Sequence, residues 1–268
     1  MNPKARVAVC IGRNGRHFRE VFRGVIAFGR AVGNWNLVHC RAENVRRADE
    51  LDDARTGGVI CSVGRVAELR ALNDLGVPVV NVANTLDDCP FPLVANDDAA
   101  IGRLAAEHFL ANGHKRFAFV GLAGRRFSRE RRSGFLSRLR VSPQRCPELD
   151  VMEPSNALIE SELGAWLGRL DLPVAVMACN DYVAAILSQA CRDLSLAVPG
   201  DVAILGVDND DIECELAQPP LSSIEPASQR IGQEAAKLLH SLMSGGPAPF
   251  QRRLIPPLRV VERTSIQG

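Results

Sequence analysis

Three consecutive pieces decide the fold class: MACNDYVA at residues 177–184, VPGDVAILGVDN at 198–209 and QPPLSSI at 218–224. Two apolar runs, Val174–Ala178 and Val202–Val207, end in polar pairs, Asn180-Asp181 and Asp208-Asn209. In a parallel α/β sheet a strand buried on both faces reads as such an apolar run. Ligands bind outside the carboxyl ends of these strands. The two Asn/Asp pairs therefore belong to one edge of one sheet. Asn both donates and accepts hydrogen bonds, and an ionised Asp accepts from two hydroxyls. Short, rigid groups of this kind suit an uncharged polyol such as a sugar.

Working outward, strand-like and helix-like segments alternate along nearly the whole chain. This pattern predicts parallel sheets with crossover helices. Strands are expected at 6–11, 36–39, 57–61, 79–82 and 93–95, then again at 116–120, 149–151, 174–178 and 202–205. Helices are expected at 17–32, 66–75, 98–111, 130–139, 157–170, 182–194 and 231–243. Helical spacing of Phe18, Val21, Phe22, Val25 and Ile26 supports the first. Asn112-Gly113 stops the third. Strand-like runs at 253–255 and 259–261 flank Pro256-Pro257. Two successive α/β units of this size predict two similar lobes.

Composition excludes several classes. The 268 residues, 46% hydrophobic, suffice for two lobes with real cores. A net charge of +1 provides no field toward nucleic acid or membrane. No apolar run approaches the ~18 residues of a membrane span. No secretory leader precedes the first strand. The eight cysteines are scattered without a Cys-x-x-Cys, which favours free thiols and a cytoplasmic location. No two histidines, and no His and Cys, have metal-ligand spacing, so no metal is expected. Gly12-Arg13-Asn14-Gly15 matches neither a dinucleotide fingerprint nor a phosphate loop, so no cofactor is expected. Its better functional reading is a pocket loop offering Arg13 and Asn14. No nucleophile elbow occurs, and nothing points to an enzyme.

The run Arg125–Phe135 holds five arginines where a helix start would favour acids. Arg131 or Arg132 is placed to offer a fork of donors to vicinal hydroxyls. Phe127 is either an apolar face for a sugar ring or plain packing.

Taken together, the motifs resemble sugar-responsive regulators of the lac/galactose repressor type. The resemblance rests on NDDAAIG at 96–102, on HFL at 108–110 with GHKRFAFVG at 113–121, on RRSGF at 131–135, on Asn180-Asp181, on GVDN at 206–209 and on PPLSSI at 219–224. A narrower resemblance is to the xylose-operon regulators, carried by GVDN and by the tail QRRLIPPLRVVER at 251–263. It implies a type I periplasmic-binding-protein-like α/β fold with three hinge crossings. The expected lobes are 1–112 with 225–252 and 113–224 with 253–268. It further implies a sugar effector, xylose or a related pentose, bound between the lobes. DNA binding would reside in an AraC-type helix-turn-helix domain absent from this chain, and the intact regulator would be a cytoplasmic homodimer. Motif positions carry the ligand roles onto Asp97, Arg131, Asn180 and Asp208, with Arg13 and Asn14 from the first-strand loop. The alternatives are an autonomous sugar-binding protein of a transport system and a flavodoxin-like or nucleotide-dependent enzyme. The missing leader weighs against the first, and the missing phosphate loop against the second.

Overall fold

The computed structural model describes residues 5–12, 14–40, 56–140, 145–152, 156–249 and 251–266. The chain divides into two compact units, 1–96 with 227–255 and 97–226 with 256–268. It therefore passes from one to the other three times.

In the first unit, β1 (Ala5–Cys10), β2 (Trp35–His39), β3 (Thr56–Cys61), β4 (Val79–Asn81), β5 (Leu93–Asn96) and β11 (Arg252–Ile255) form a sheet of order β11-β5-β4-β3-β1-β2. Every pairing in it is parallel. Successive side chains of a strand face opposite sides. Accordingly Val7, Val9 and Ile11 pack with α1 (Arg16–Val32) and α8 (Ser228–Met243). Ala8 and Cys10 share the other layer with Leu72 of α2 (Val66–Asn73).

The second unit repeats the plan. Its strands are β6 (Phe117–Leu122), β7 (Glu148–Val151), β8 (Val174–Ala178), β9 (Val202–Val207), β10 (Ser222–Glu225) and β12 (Arg259–Val261). They lie in the order β12-β10-β9-β8-β6-β7, with only β12 antiparallel. Helices α3 (Asp98–Ala111), α4 (Arg126–Leu139), α5 (Asn156–Leu167), α6 (Asp181–Asp193) and α7 (Asp211–Leu216) complete it. β6, β8 and β9 are buried along their whole length, as their unbroken apolar runs require.

Each unit depends on one helix pair that meets at glycines. A Cβ on Gly102 of α3 would lie 1.9 Å from the Arg131 carbonyl oxygen of α4, and one on Gly134 would lie 2.0 Å from that of Ala99. In the first unit a Cβ on Gly24 of α1 would lie 2.1 Å from the Gln229 carbonyl oxygen of α8, and one on Gly232 would lie 1.9 Å from that of Val21. In both pairs the obstacle is backbone, which cannot swing aside.

Three expectations are corrected. Helix α3, expected in the first unit, packs on α4 and belongs to the second, so the first passage falls after Asn96 and not at Asn112-Gly113. The other two passages fall at 226/227 and 255/256, close to the expected 224/225 and 252/253. The cysteines are not all free thiols. Cys10 and Cys40 lie at the carboxyl ends of neighbouring parallel strands, 4.9 Å apart at Cα, and are joined by a disulfide. Helix α4 begins at Arg126, four residues before the expected Glu130. No helix among the described residues is long and apolar enough to cross a membrane.

Alanine at Gly102 or Gly134 should force α3 and α4 apart. Each substitution is expected to lower stability by about 2–3 kcal/mol in urea denaturation, the upper range for overpacking against backbone. A loss below about 0.5 kcal/mol would contradict the close crossing.

Candidate functional site

The carboxyl edge of the second sheet gathers most of the residues singled out in the sequence. β6 ends at Leu122, β8 runs into Cys179-Asn180, and β9 runs into Asp208-Asn209. The N-terminus of α3 brings Asp97 and Asp98 beside α4, and α4 supplies Arg131.

Arg131 is the centre of the site. It is 3% exposed. Its Nε donates to Asp98 Oδ1 at 2.8 Å, and its Nη1 donates to the Cys179 carbonyl at the end of β8. Nη2 lies 4.0 Å from Asp208 Oδ1. Phe127, one turn earlier on α4, lies 5.0 Å below the guanidinium carbon, within cation–π range. Phe127 is partly buried and packs beneath Arg131 and against the core. Burial acts to lower the Arg131 pKa, but Asp98 first and Asp208 next outweigh it, so the net direction is up. Arg132 turns elsewhere, donating to Glu148 at 2.8 Å.

Asp208 has the most open chemistry. Its side chain is 25% exposed, and the 4.0 Å separation from Arg131 is too long for a hydrogen bond. Its oxygens therefore keep their accepting capacity. Burial raises its pKa to about 6, with Arg131 opposing and Asp98 and Asp210 adding to the rise. Asp208 and Asn209 both have positive φ, 110° and 48°, a conformation that favours glycine. Asp97 caps α3, its Oδ1 accepting from the Ala100 amide at 2.8 Å, while its Oδ2 lies 3.8 Å from Arg103. Asn180 caps α6 in the same way, its Oδ1 accepting from the Val183 amide at 3.0 Å. Both residues thus serve their helix with one side-chain oxygen. A cavity of about 180 Å³ lies alongside, lined by Leu122, Ala123, Gly124, Arg125 and Met152.

Sequence reading missed Asp98 and Asp181, the two buried carboxylates beneath this edge. Each is 1% exposed and follows a residue that was named. Helix periodicity gives the only available signal: the second member of each pair is the first residue inside its helix and is buried. Asp181 accepts from the Ser223 hydroxyl at 2.6 Å and the Asp210 amide at 2.7 Å. Burial, then the Asp208 charge, pushes its pKa up to about 8.

The first-unit nominees stand apart from this cluster in the chain. Asn14 is exposed in the turn between β1 and α1, and Arg13 lies outside the described residues. At the end of β5, Asn96 is buried, and its Oδ1 has no hydrogen-bond partner. Among the described residues no group of three or more His, Cys, Asp or Glu could hold a metal ion.

The edge therefore presents carboxylate and amide groups around one arginine already neutralised by acids. Such an arrangement offers acceptors to hydroxyl donors. Together with two mostly parallel six-stranded sheets, it defines a small-ligand sensor domain, and residues 106–266 match the model of the periplasmic binding protein-like domain. The chain belongs to that family. It is 30% identical to the xylose operon regulatory protein of Escherichia coli (strain K12), over 97% of this chain and 69% of that protein. Its identity to the protein of the same description from Haemophilus influenzae (strain ATCC 51907 / DSM 11121 / KW20 / Rd) is 28%, over 97% of this chain and 70% of that one. The solved structure of a xylose-binding transcription activator superposes with a TM-score of 0.86 at 28% identity, covering all of this chain and 70% of that one. These relatives are transcriptional regulators, which favours the regulator reading over the transport reading.

The raised pKa of Asp181 has a thermodynamic consequence. A carboxyl that binds its proton more tightly when folded contributes stability below the unfolded pKa of about 4, and that contribution is lost as pH rises toward 8. Asp181→Asn should therefore flatten the fall of the melting temperature between about pH 5 and pH 8. Equal slopes for variant and wild type would show that Asp181 titrates normally.

Proposed function

We propose that this chain is the effector-sensing region of a sugar-responsive transcriptional regulator, with xylose or a related pentose as effector. The observation that carries the reading is Asp208: a partly exposed carboxylate with unfilled acceptor sites, fixed at a strand end beside a buried arginine. Asp97 and Asn180 add a second carboxylate and an amide at the same edge. Similarity to regulators described as xylose-responsive supports the pentose.

In this reading the domain binds and does not transform its ligand, and it uses no cofactor. Bound sugar shifts the population of sensor conformers by its differential affinity for them. In the intact regulator that shift alters DNA binding by a helix-turn-helix domain. The regulator acts in the cytoplasm as a homodimer.

A thermal-shift screen of pentoses and hexoses tests the reading, because a ligand that binds only the folded state raises the melting temperature. D-xylose or a close pentose should give the largest rise. Asp208→Asn should then weaken binding about ten- to a hundred-fold by calorimetry, the equivalent of roughly 1.5–3 kcal/mol for a charge-assisted hydrogen bond. A set of sugars that leaves the melting temperature unmoved at millimolar concentration would sink the effector assignment.

A further inference from the structure

The turn that carries Asp208 is held from beneath by groups that the effector would not touch. Its three amides all have acceptors within the second unit. Asp208 N–H donates to the Ile224 carbonyl at 3.0 Å, Asn209 N–H to Ser223 Oγ at 2.9 Å, and Asp210 N–H to Asp181 Oδ2 at 2.7 Å. The Ser223 hydroxyl in turn donates to Asp181 Oδ1 at 2.6 Å. Both Asp181 oxygens are thus committed to the one turn.

Several features show how much of the surroundings serve this contact. Ser223 is fully buried in β10, a strand position where an apolar residue would pack better. Glycine at 206 leaves the space that the carboxylate fills, since a Cβ there would lie 2.1 Å from Asp181 Oδ1. Two successive positive-φ residues without glycine, Asp208 and Asn209, persist only where the surroundings over-determine them. Arg263 braces the far side, its Nη2 on Asn209 Oδ1 at 2.9 Å and its Nη1 on the Leu221 carbonyl at 2.8 Å.

We propose that Asp181, acting directly and through Ser223, is a positioning residue that fixes the Asp208 carboxylate for effector binding. This rests on the reading of Asp208 as the effector-binding acid. A simpler packing role would leave Asp181 among apolar neighbours; here it accepts directly from the Asp210 amide and reaches the Asn209 amide through Ser223. Arg263 gives the same turn a link to the segment after Pro256.

The test uses two readouts on the 268-residue protein. Amide hydrogen exchange of residues 208–210 is followed without ligand, and D-xylose affinity is measured by calorimetry. Asp181→Ala and Ser223→Ala should each speed exchange of these amides roughly tenfold, with β6 and β8 unchanged, and weaken D-xylose binding by a similar factor. Asp181→Asn keeps one acceptor and should recover part of both effects. If Asp181→Ala does not fold, Ser223→Ala decides the matter. Exchange at the wild-type rate overturns the proposal, and so does faster exchange with unchanged affinity. Failure of the wild-type protein to bind D-xylose overturns the effector reading instead, and the exchange rates then still decide whether the clamp exists.

Discussion

The second unit depends on one buried guanidinium. Arg131 reaches from the middle of α4 to the first residue of α3, to the carbonyl of the residue just past β8 and toward the first residue past β9. Four chain segments distant in sequence are thereby held to one charge. Burying it is costly, and removing one partner of such a pair typically loses about 3–5 kcal/mol because the other is left uncompensated. The energy is justified by geometry more than by stability. A leucine of similar volume would pack in its place, but it would take the Nε donor from Asp98 and the nearby positive charge from Asp208.

Arg131 can do this because α3 and α4 touch backbone to backbone. Gly102 and Gly134 remove the two Cβ atoms that would separate the helices. The approach sets Asp98 Oδ1 within 2.8 Å of Nε. The first unit uses the same device at Gly24 and Gly232, and among the described residues none of its charged side chains is buried. Close helix contact is therefore common to both units, while the buried ion pair distinguishes the one that carries Asp208.

Much of the fold was legible because parallel strands buried on both faces leave apolar runs that no loop or exposed helix imitates. β6, β8 and β9 were placed this way, and their polar terminations located the binding edge. β10 was missed for the opposite reason: Ser-Ser-Ile-Glu reads as a turn. It is a buried strand whose hydroxyls are satisfied by Asp181 and by the Arg263 carbonyl, partners more than forty residues away. The short helix α7 was hidden by the acids around it. The arginine-rich start of α4 looked unfavourable for a helix. Arg126 pairs with Glu130 and Arg132 with Glu148, which offsets part of the cost.

Asp97, Arg131, Asn180 and Asp208 were named through the family resemblance of their motifs, and the structure places all four in the second unit. The assignment of α3 to a unit could not be read locally, since its apolar face says only that it packs, not on what. Disulfide formation between Cys10 and Cys40 likewise needed the order of β1 and β2 in the sheet. The sequence by itself determined the class of fold, two α/β units, and the strand ends where polar residues collect, because hydrophobic periodicity and turn chemistry act over a few neighbouring residues. Only the tertiary structure decided which carboxylates face the ligand side and which lie beneath it. Asp97 and Asp98, like Asn180 and Asp181, differ by one position on a helix, about 100° of rotation. That rotation makes one residue a cap at the surface and the other a buried partner for groups that folding alone brings near.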